Sequence, residues 1–255
     1  VLIISLSSIP PRFPYIKPTL DSLLAQDVTA DRILLHIPRA YRRFPEWDGT
    51  LPDVPAGVEI LRCEEDLGPA TKVLPAARAF RGEDVDLLFC DDDRIYPSDW
   101  GRRLCEARSS QPEAALCLRG MMVAWKTGQG VARVLRPQAK PSQDWQKWLD
   151  KRAHPGAEAM LFRASGHVDM FEGCGGVLVR PEMFDDAASD IPDVAWPVDD
   201  VWLSGMLAAK GVPIWLEAGA RSAAHAAAPL DDAARHDQNI AAIRHLQAHH
   251  GVWLP

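Results

Sequence analysis

Three consecutive aspartates, Asp91, Asp92 and Asp93, end an apolar run in the stretch LLFCDDDRIYPSDW, residues 87–100. Carboxylates side by side repel one another, and burying part of that charge is costly unless something compensates it. In extended form, Asp91 and Asp93 project to the same side of the chain. Two hard oxygen donors so placed can share one Mg2+ or Mn2+, with water or phosphate filling the other positions. The plainer alternative is a solvated turn with Asp92 or Asp93 as a cap. A second acidic pair, Asp199 and Asp200, starts a helical pattern, where the helix dipole favours acids whether or not they do chemistry. His245 and His249 stand at helical spacing and could bind a metal. No acidic partner lies nearby in sequence, so a solvated helix face is the simpler reading.

Regular elements have to position these groups. VLIISL (1–6) is a continuous apolar, β-branched run, the pattern of a strand buried on both faces of a parallel sheet. It stops at SSIPPRFP, and YIKPTLDSLLAQ then places Ile16, Leu20, Leu23 and Leu24 on one helical face. DRILLHIP (31–38), GVEILRC (57–63) and VDLLFC (85–90) read as further strands, with DLGPATKVLPAARAF (66–80) a loop leading into a helix. This alternation indicates an α/β fold, a mostly parallel, doubly wound sheet flanked by helices. Ligands in such sheets bind beyond the carboxyl ends of the strands, where the aspartates stand. After Trp100 the pattern predicts a helix over DWGRRLCEARSSQP and a strand over AALCLRGMMVAW. Residues 126–168 lack periodicity and read as an irregular insertion. Order returns with GCGGVLVRPEMF (173–184), a helix over PVDDVWLSGMLAAKG (197–211), a strand at VPIWLEAG and a C-terminal helix over DDAARHDQNIAAIRHLQAHH.

The bulk numbers narrow the function classes. A chain of 255 residues with 47% hydrophobic content fits one large domain with a real core. A net charge of −7 without a basic tract argues against nucleic-acid binding. The five cysteines are scattered and form no C-x-x-C, which predicts reduced thiols, a cytoplasmic setting and no structural zinc. No apolar run reaches the ~18–20 residues needed to span a bilayer. VLIISLSS is too short for a signal peptide and lacks its basic flank. The chain begins at Val1 rather than Met, so earlier residues remain open, and peripheral association at the inner face of a membrane is compatible with the rest. An EF-hand is excluded, because its fifth and twelfth loop positions would be Ile95 and Arg102. A haloacid-dehalogenase-type phosphatase would carry its aspartates after the first strand, which here ends in Ser7 and Ser8.

The segment EEDLGPATKVLPAARAFRGEDVDLLFCDDDRIYPSDWGRRL resembles the donor half of the GT-A glycosyltransferases, family 2 in particular. There an N-x-G-x-x-x-A-R-N type segment precedes a strand that ends in a D-x-D motif. GCGGVLVRPEMFDDA is similar to that family's glycine-rich segment, and PVDDVWLSGMLAAKGVPIWL to its acidic acceptor segment. The resemblance implies one GT-A-like domain over 1–255, with a nucleotide-binding half over 1–100 and an acceptor-binding half over 101–255. It implies a metal-dependent transfer of sugar from a nucleotide-sugar donor to a carbohydrate or glycoconjugate acceptor, as in polysaccharide biosynthesis, by inverting displacement. By the same match Asp93 would ligate Mn2+ or Mg2+, Asp91 would contact ribose or metal-bound water, Asp92 would lie between them, and His225 would be a third metal ligand. Asp200, with Asp199 beside it, would be the base that activates the acceptor hydroxyl. Ser7, Ser8 and Arg12 fall where the family binds the nucleotide base, or form a plain loop. Gly68, Pro69 and Lys72 fall where the chain approaches the nucleotide, and Lys72 could pair with phosphate or be a solvent-facing helix lysine. Gly173, Gly175 and Gly176 would let backbone N–H groups approach a sugar or phosphate, or form a tight turn. Trp125, Trp145 and Trp148 could stack on sugar rings or anchor a loop.

The sequence departs from the family after the second strand, where HIPRAYRRF lacks the usual base-reading aspartate. Two rivals remain. A sugar-phosphate nucleotidyltransferase would carry a glycine-rich phosphate loop after the first strand, and SSIPPRFP has no glycine. A non-catalytic nucleotide-sugar-binding module has no need of Asp91, Asp93 and Asp200 together.

Overall fold

Among the described residues, eight strands form the central sheet: β1 (Leu2–Ser7), β2 (Arg32–Pro38), β3 (Val58–Cys63), β4 (Asp86–Phe89), β5 (Ala115–Cys117), β6 (Gly166–Val168), β7 (Val177–Val179) and β8 (Ile214–Leu216). Among the described residues, seven α-helices accompany it: α1 (Lys17–Leu24), α2 (Leu74–Ala79), α3 (Trp100–Ser110), α4 (Val123–Thr127), α5 (Asp144–Ala153), α6 (Asp199–Ala209) and α7 (Arg235–His250). The computed structural model describes residues 1–153, 160–221, 223–226 and 234–255, without the side chains of 145, 148, 149, 151 and 153. The strand order is β6-β8-β5-β7-β4-β1-β2-β3. β3, β2, β1 and β4 run parallel, and so do β5 and β8, whereas β7 runs antiparallel between β4 and β5.

This is the single, mixed but largely parallel α/β sheet that the apolar runs predict. The chain leaves β1 toward β2 on one side and returns to β4 on the other, so the carboxyl ends of β1 and β4 flank a switch point, the usual place for a ligand crevice. Because β7 runs the opposite way, its entry at Gly173–Gly176 comes to the same edge.

Alternation along β4 divides the core. Leu87 and Phe89 face the layer of α2, α6 and α7, and Leu88 and Cys90 face the layer of α1 and α3. The helix α6 is apolar nearly all round, with Val201, Trp202, Leu203, Met206 and Leu207 buried, as a helix packed between sheet and neighbour requires. Its two acids therefore sit where a buried helix meets the crevice.

Some local expectations are corrected. The run AALCLRGMMVAW is not one strand: it contributes β5, a two-residue strand Gly120–Met121 paired with Met170–Phe171, and α4. The segment 126–168 holds α5, the edge strand β6 and a short pairing of Lys140–Pro141 with Phe162–Ala164. The strand pieces of two or three residues carry too few positions for a periodic signal. In α1, Leu24 is exposed while Leu20 and Leu23 are buried. Trp125 is exposed and stacks on Phe162, and the side chains of Trp145 and Trp148 lie outside the described residues. All five cysteines are free thiols. Among the described residues no helix is long and apolar enough to cross a membrane.

Candidate functional site

The strand β4 ends at Phe89, and Asp92 and Asp93 lie in a turn rather than in extended chain. The alternation that separates Phe89 from Cys90 carries on into the first two acids and sends them to different neighbours. Asp91 follows the Phe89 side and meets the Lys72 ammonium at 2.7 Å. Asp92 follows the Cys90 side, where it accepts from Ser8 Oγ and from Arg12 Nη1, both at 2.5 Å. Asp93 accepts from Arg12 Nη2 at 3.0 Å, and Arg94 Nε lies 3.5 Å from its other oxygen. One guanidinium thus bridges two adjacent carboxylates, with only 15% of its side chain exposed.

Lys72 closes a 3-10 turn, Gly68–Lys72, whose last carbonyl accepts from Ser5 Oγ in β1 at 2.6 Å. That anchor aims the side chain at three carboxylates from two parts of the chain: Asp91, Asp199 at 2.9 Å and Asp200 at 3.5 Å. Burial works against the ammonium charge, but Asp199, Asp91 and Asp200 together hold its pKa well above the ordinary lysine value. Burial would raise Asp91, yet Lys72, with Arg235 and Arg12 behind it, holds that carboxyl below the usual range. Asp92 ends up raised, burial outweighing Arg12 and Ser8. Asp200 is lifted to about 7, by burial first, with the Asp199 and Asp91 charges adding and Lys72 opposing. A carboxyl with that pKa sits close to the value at which a general base works best near neutral pH.

Gly173 completes the arrangement. Its N–H donates to Asp200 Oδ1 at 3.0 Å, and a Cβ at this position would run into Lys72 Nζ and lie 2.9 Å from Asp200 Oδ1. The ammonium is held by three partners and cannot swing aside at little cost. Gly173→Ala is expected to lower stability by about 1–3 kcal/mol. Urea unfolding checks this, and an unchanged midpoint would show that the lysine repositions freely.

The five carboxylates, Lys72 and Arg12 line one cavity of roughly 770 Å³ at the switch point, whereas Gly173 stands behind its lining. Of the sequence-predicted residues, Ser7, Ser8, Arg12, Gly68, Pro69, Lys72, Asp91, Asp92, Asp93, Asp199 and Asp200 all face it. Gly175 and Gly176 do not. Gly175 packs against Arg119 and accepts from Trp100 Nε1 at 2.8 Å, and a Cβ on Gly176 (φ +85°) would strike the Trp100 indole. Their smallness serves packing behind the cavity. His225 also lies outside the lining, exposed on a short strand, where its Nε2 accepts from Arg94 at 2.8 Å. Arg94 thus contacts both His225 and Asp93.

Sequence reasoning passed over Asp66, Arg43, Lys126 and Trp196, all in the lining. Asp66 accepts from Arg42 N and Gly68 N, at 2.7 and 2.9 Å. An acid two residues ahead of the Gly68-Pro69 turn was its available signal. Gly68 adopts φ +61° and lies flat on Trp196, where a Cβ would come 2.8 Å from the indole. Nothing in the local sequence marks Arg43, which stacks on the same indole at 4.9 Å.

The residues expected to hold a divalent cation fit it poorly. Each of the three carboxylates already has a cationic side chain for partner. Among the described residues, no three His, Cys, Asp or Glu side chains converge as a cation cage.

No family model matches the chain, and neither does any curated protein. Among solved structures, S. aureus TarS 1-349 is similar with a TM-score of 0.46 and 13% identity, over 96% of this chain and 70% of that one. S. aureus TarS 1-349 in complex with UDP is similar with a TM-score of 0.46 and 14% identity, over 87% of this chain and 59% of that one.

Proposed function

We propose that this chain is a glycosyltransferase of GT-A type, moving a sugar from a nucleotide-sugar donor to a hydroxyl of a carbohydrate or glycoconjugate acceptor. The observation that carries this reading is the meeting of Asp91 and Asp200 on the Lys72 ammonium inside one cavity at the sheet's switch point. The β1–β4 side of the cavity, with Ser7, Ser8, Arg12 and Asp91, would take the nucleotide. The α6 side, with Asp199 and Asp200, would face the acceptor. Asp200 then accepts the hydroxyl proton as the oxygen attacks the anomeric carbon, and the bond to the diphosphate breaks. Attack from the face opposite the leaving group inverts that carbon. Gly173 N–H and Lys72 keep the Asp200 carboxylate oriented as it works. Mn2+ or Mg2+, expected from the family resemblance, would have to bind through Asp91 and Asp93. With those oxygens engaged by Lys72, Arg12 and Arg94, no step here is routed through a metal.

Isothermal titration of UDP, GDP, CDP and ADP, each with EDTA and with Mn2+, tests the donor side. At least one nucleotide is expected to bind. Absence of binding in every combination would overturn the reading.

A further inference from the structure

The lining of the cavity holds seven Asp or Glu residues and seven Arg or Lys residues. Formal charge in the site is therefore balanced by the chain itself. The pairing is specific as well as numerical. Arg12 spans Asp92 and Asp93, Arg94 backs Asp93, and Lys72 gathers Asp91, Asp199 and Asp200. A dication on Asp93 would have to displace a guanidinium that is 15% exposed and leave it beside a second positive centre. Loss of a partner is the costly event for a buried charge. A guanidinium cannot shed its proton to escape that conflict.

Two further cations point to what the balanced cluster is for. Arg43 and Lys126 line the same cavity and make no ion pair with a carboxylate among the described residues. Both can accept an anionic group, and Arg43 is already fixed against the Trp196 indole. A diphosphate needs cationic donors in its binding site and on departure. Here side chains can provide them.

We infer that this site takes its nucleoside diphosphate without a divalent cation, Arg12, Lys72 and Arg94 doing the charge compensation that a metal would do on bare aspartates. The inference rests on the proposed donor reading for its ligand, and on the ion pairs alone for its statement about metal. Its test separates the two.

Mn2+ alone is titrated into the intact chain by calorimetry, and the four nucleoside diphosphates are titrated in EDTA and in Mn2+. The expected result is no saturable Mn2+ binding below about 1 mM, and a nucleotide Kd that agrees within about threefold between EDTA and Mn2+. Arg12→Gln, which frees Asp92 and Asp93, is expected to weaken nucleotide binding in EDTA by about tenfold and to gain saturable Mn2+ binding. Should that variant fail to fold, the Mn2+ titration and the ratio of nucleotide Kd in EDTA and in Mn2+ on the unaltered chain decide the inference by themselves. Saturable Mn2+ binding to the unaltered chain that Asp93→Asn abolishes would overturn the inference, as would nucleotide binding at least tenfold tighter with Mn2+. If no nucleotide binds under any condition, the donor reading fails, while the Mn2+ titrations still decide the statement about metal.

Discussion

Lys72→Met is expected to lower the unfolding free energy by about 3–5 kcal/mol, the cost of removing one partner from a buried charge cluster. The lysine side chain is 5% exposed and that of Asp199 is 2% exposed, so water cannot replace the lost ammonium. Methionine keeps the length and apolar stem of the side chain, which confines the change to charge. The pH dependence has a definite sign. Asp91 has a folded pKa below its ordinary value, so its stabilising contribution is complete above the unfolded aspartate range, near about 4, and is lost as pH falls through the lowered folded value. The gap between the two proteins is therefore widest at neutral pH and narrows on acidification. Urea unfolding at pH 7 and at about pH 3 measures both quantities. A loss below about 1 kcal/mol at pH 7, the size of an exposed ion pair, would show that the ammonium does not hold the three carboxylates together. In the double variant Lys72→Met with Asp199→Asn, part of the loss should return, because the stranded charge has gone with its partner.

Asp200→Asn is expected to reduce sugar transfer by about 10²- to 10⁴-fold, the usual contribution of a positioned general base. Nucleotide affinity should remain within about threefold, since Asn keeps the shape and the oxygen that accepts from Gly173 N–H. The unaltered chain carries a further signature. With Asp200 at about 7, transfer should fall tenfold per pH unit below neutrality and level off above it, because only the ionised carboxylate takes the proton. Initial rates from pH 5.5 to 8.5, alongside nucleotide titrations on the variant, check both statements. If Asn weakens nucleotide binding as strongly as transfer, Asp200 belongs to the donor site and the base lies elsewhere.

The strands around the site were legible because their residues are locally consistent. VLIISL, DRILLHIP and VDLLFC are short apolar runs whose burial follows from composition alone, whereas the edge strand in GVEILRC buries Val58 and leaves Glu59 exposed. The same logic puts Asp91–Asp93 past a strand end and Asp199–Asp200 at a helix start, as observed. Smaller pieces were not legible. The strand pairs Gly120–Met121 with Met170–Phe171 and Lys140–Pro141 with Phe162–Ala164 depend on partners more than twenty residues away and too short to show a period.

What the sequence by itself determined is which residues crowd the carboxyl edge of the sheet and that their charge demands compensation. It could not determine the compensating groups. Arg12 lies 80 residues from Asp92, and Lys72 lies 19 from Asp91, with Asp200 further along still. These separations close only when β1 pairs with β4 and α6 packs beneath them. Pairing register then decides the rest. The period of two along β4 turns Asp91 toward Lys72 and Asp92 toward Arg12, and the turn at Asp92–Asp93 removes the side-by-side display that extended chain would have given Asp91 and Asp93. Charge interactions act across space rather than along the chain. Three aspartates that read as a cation site in sequence became, in the tertiary structure, acids paired with the side-chain cations Lys72, Arg12 and Arg94.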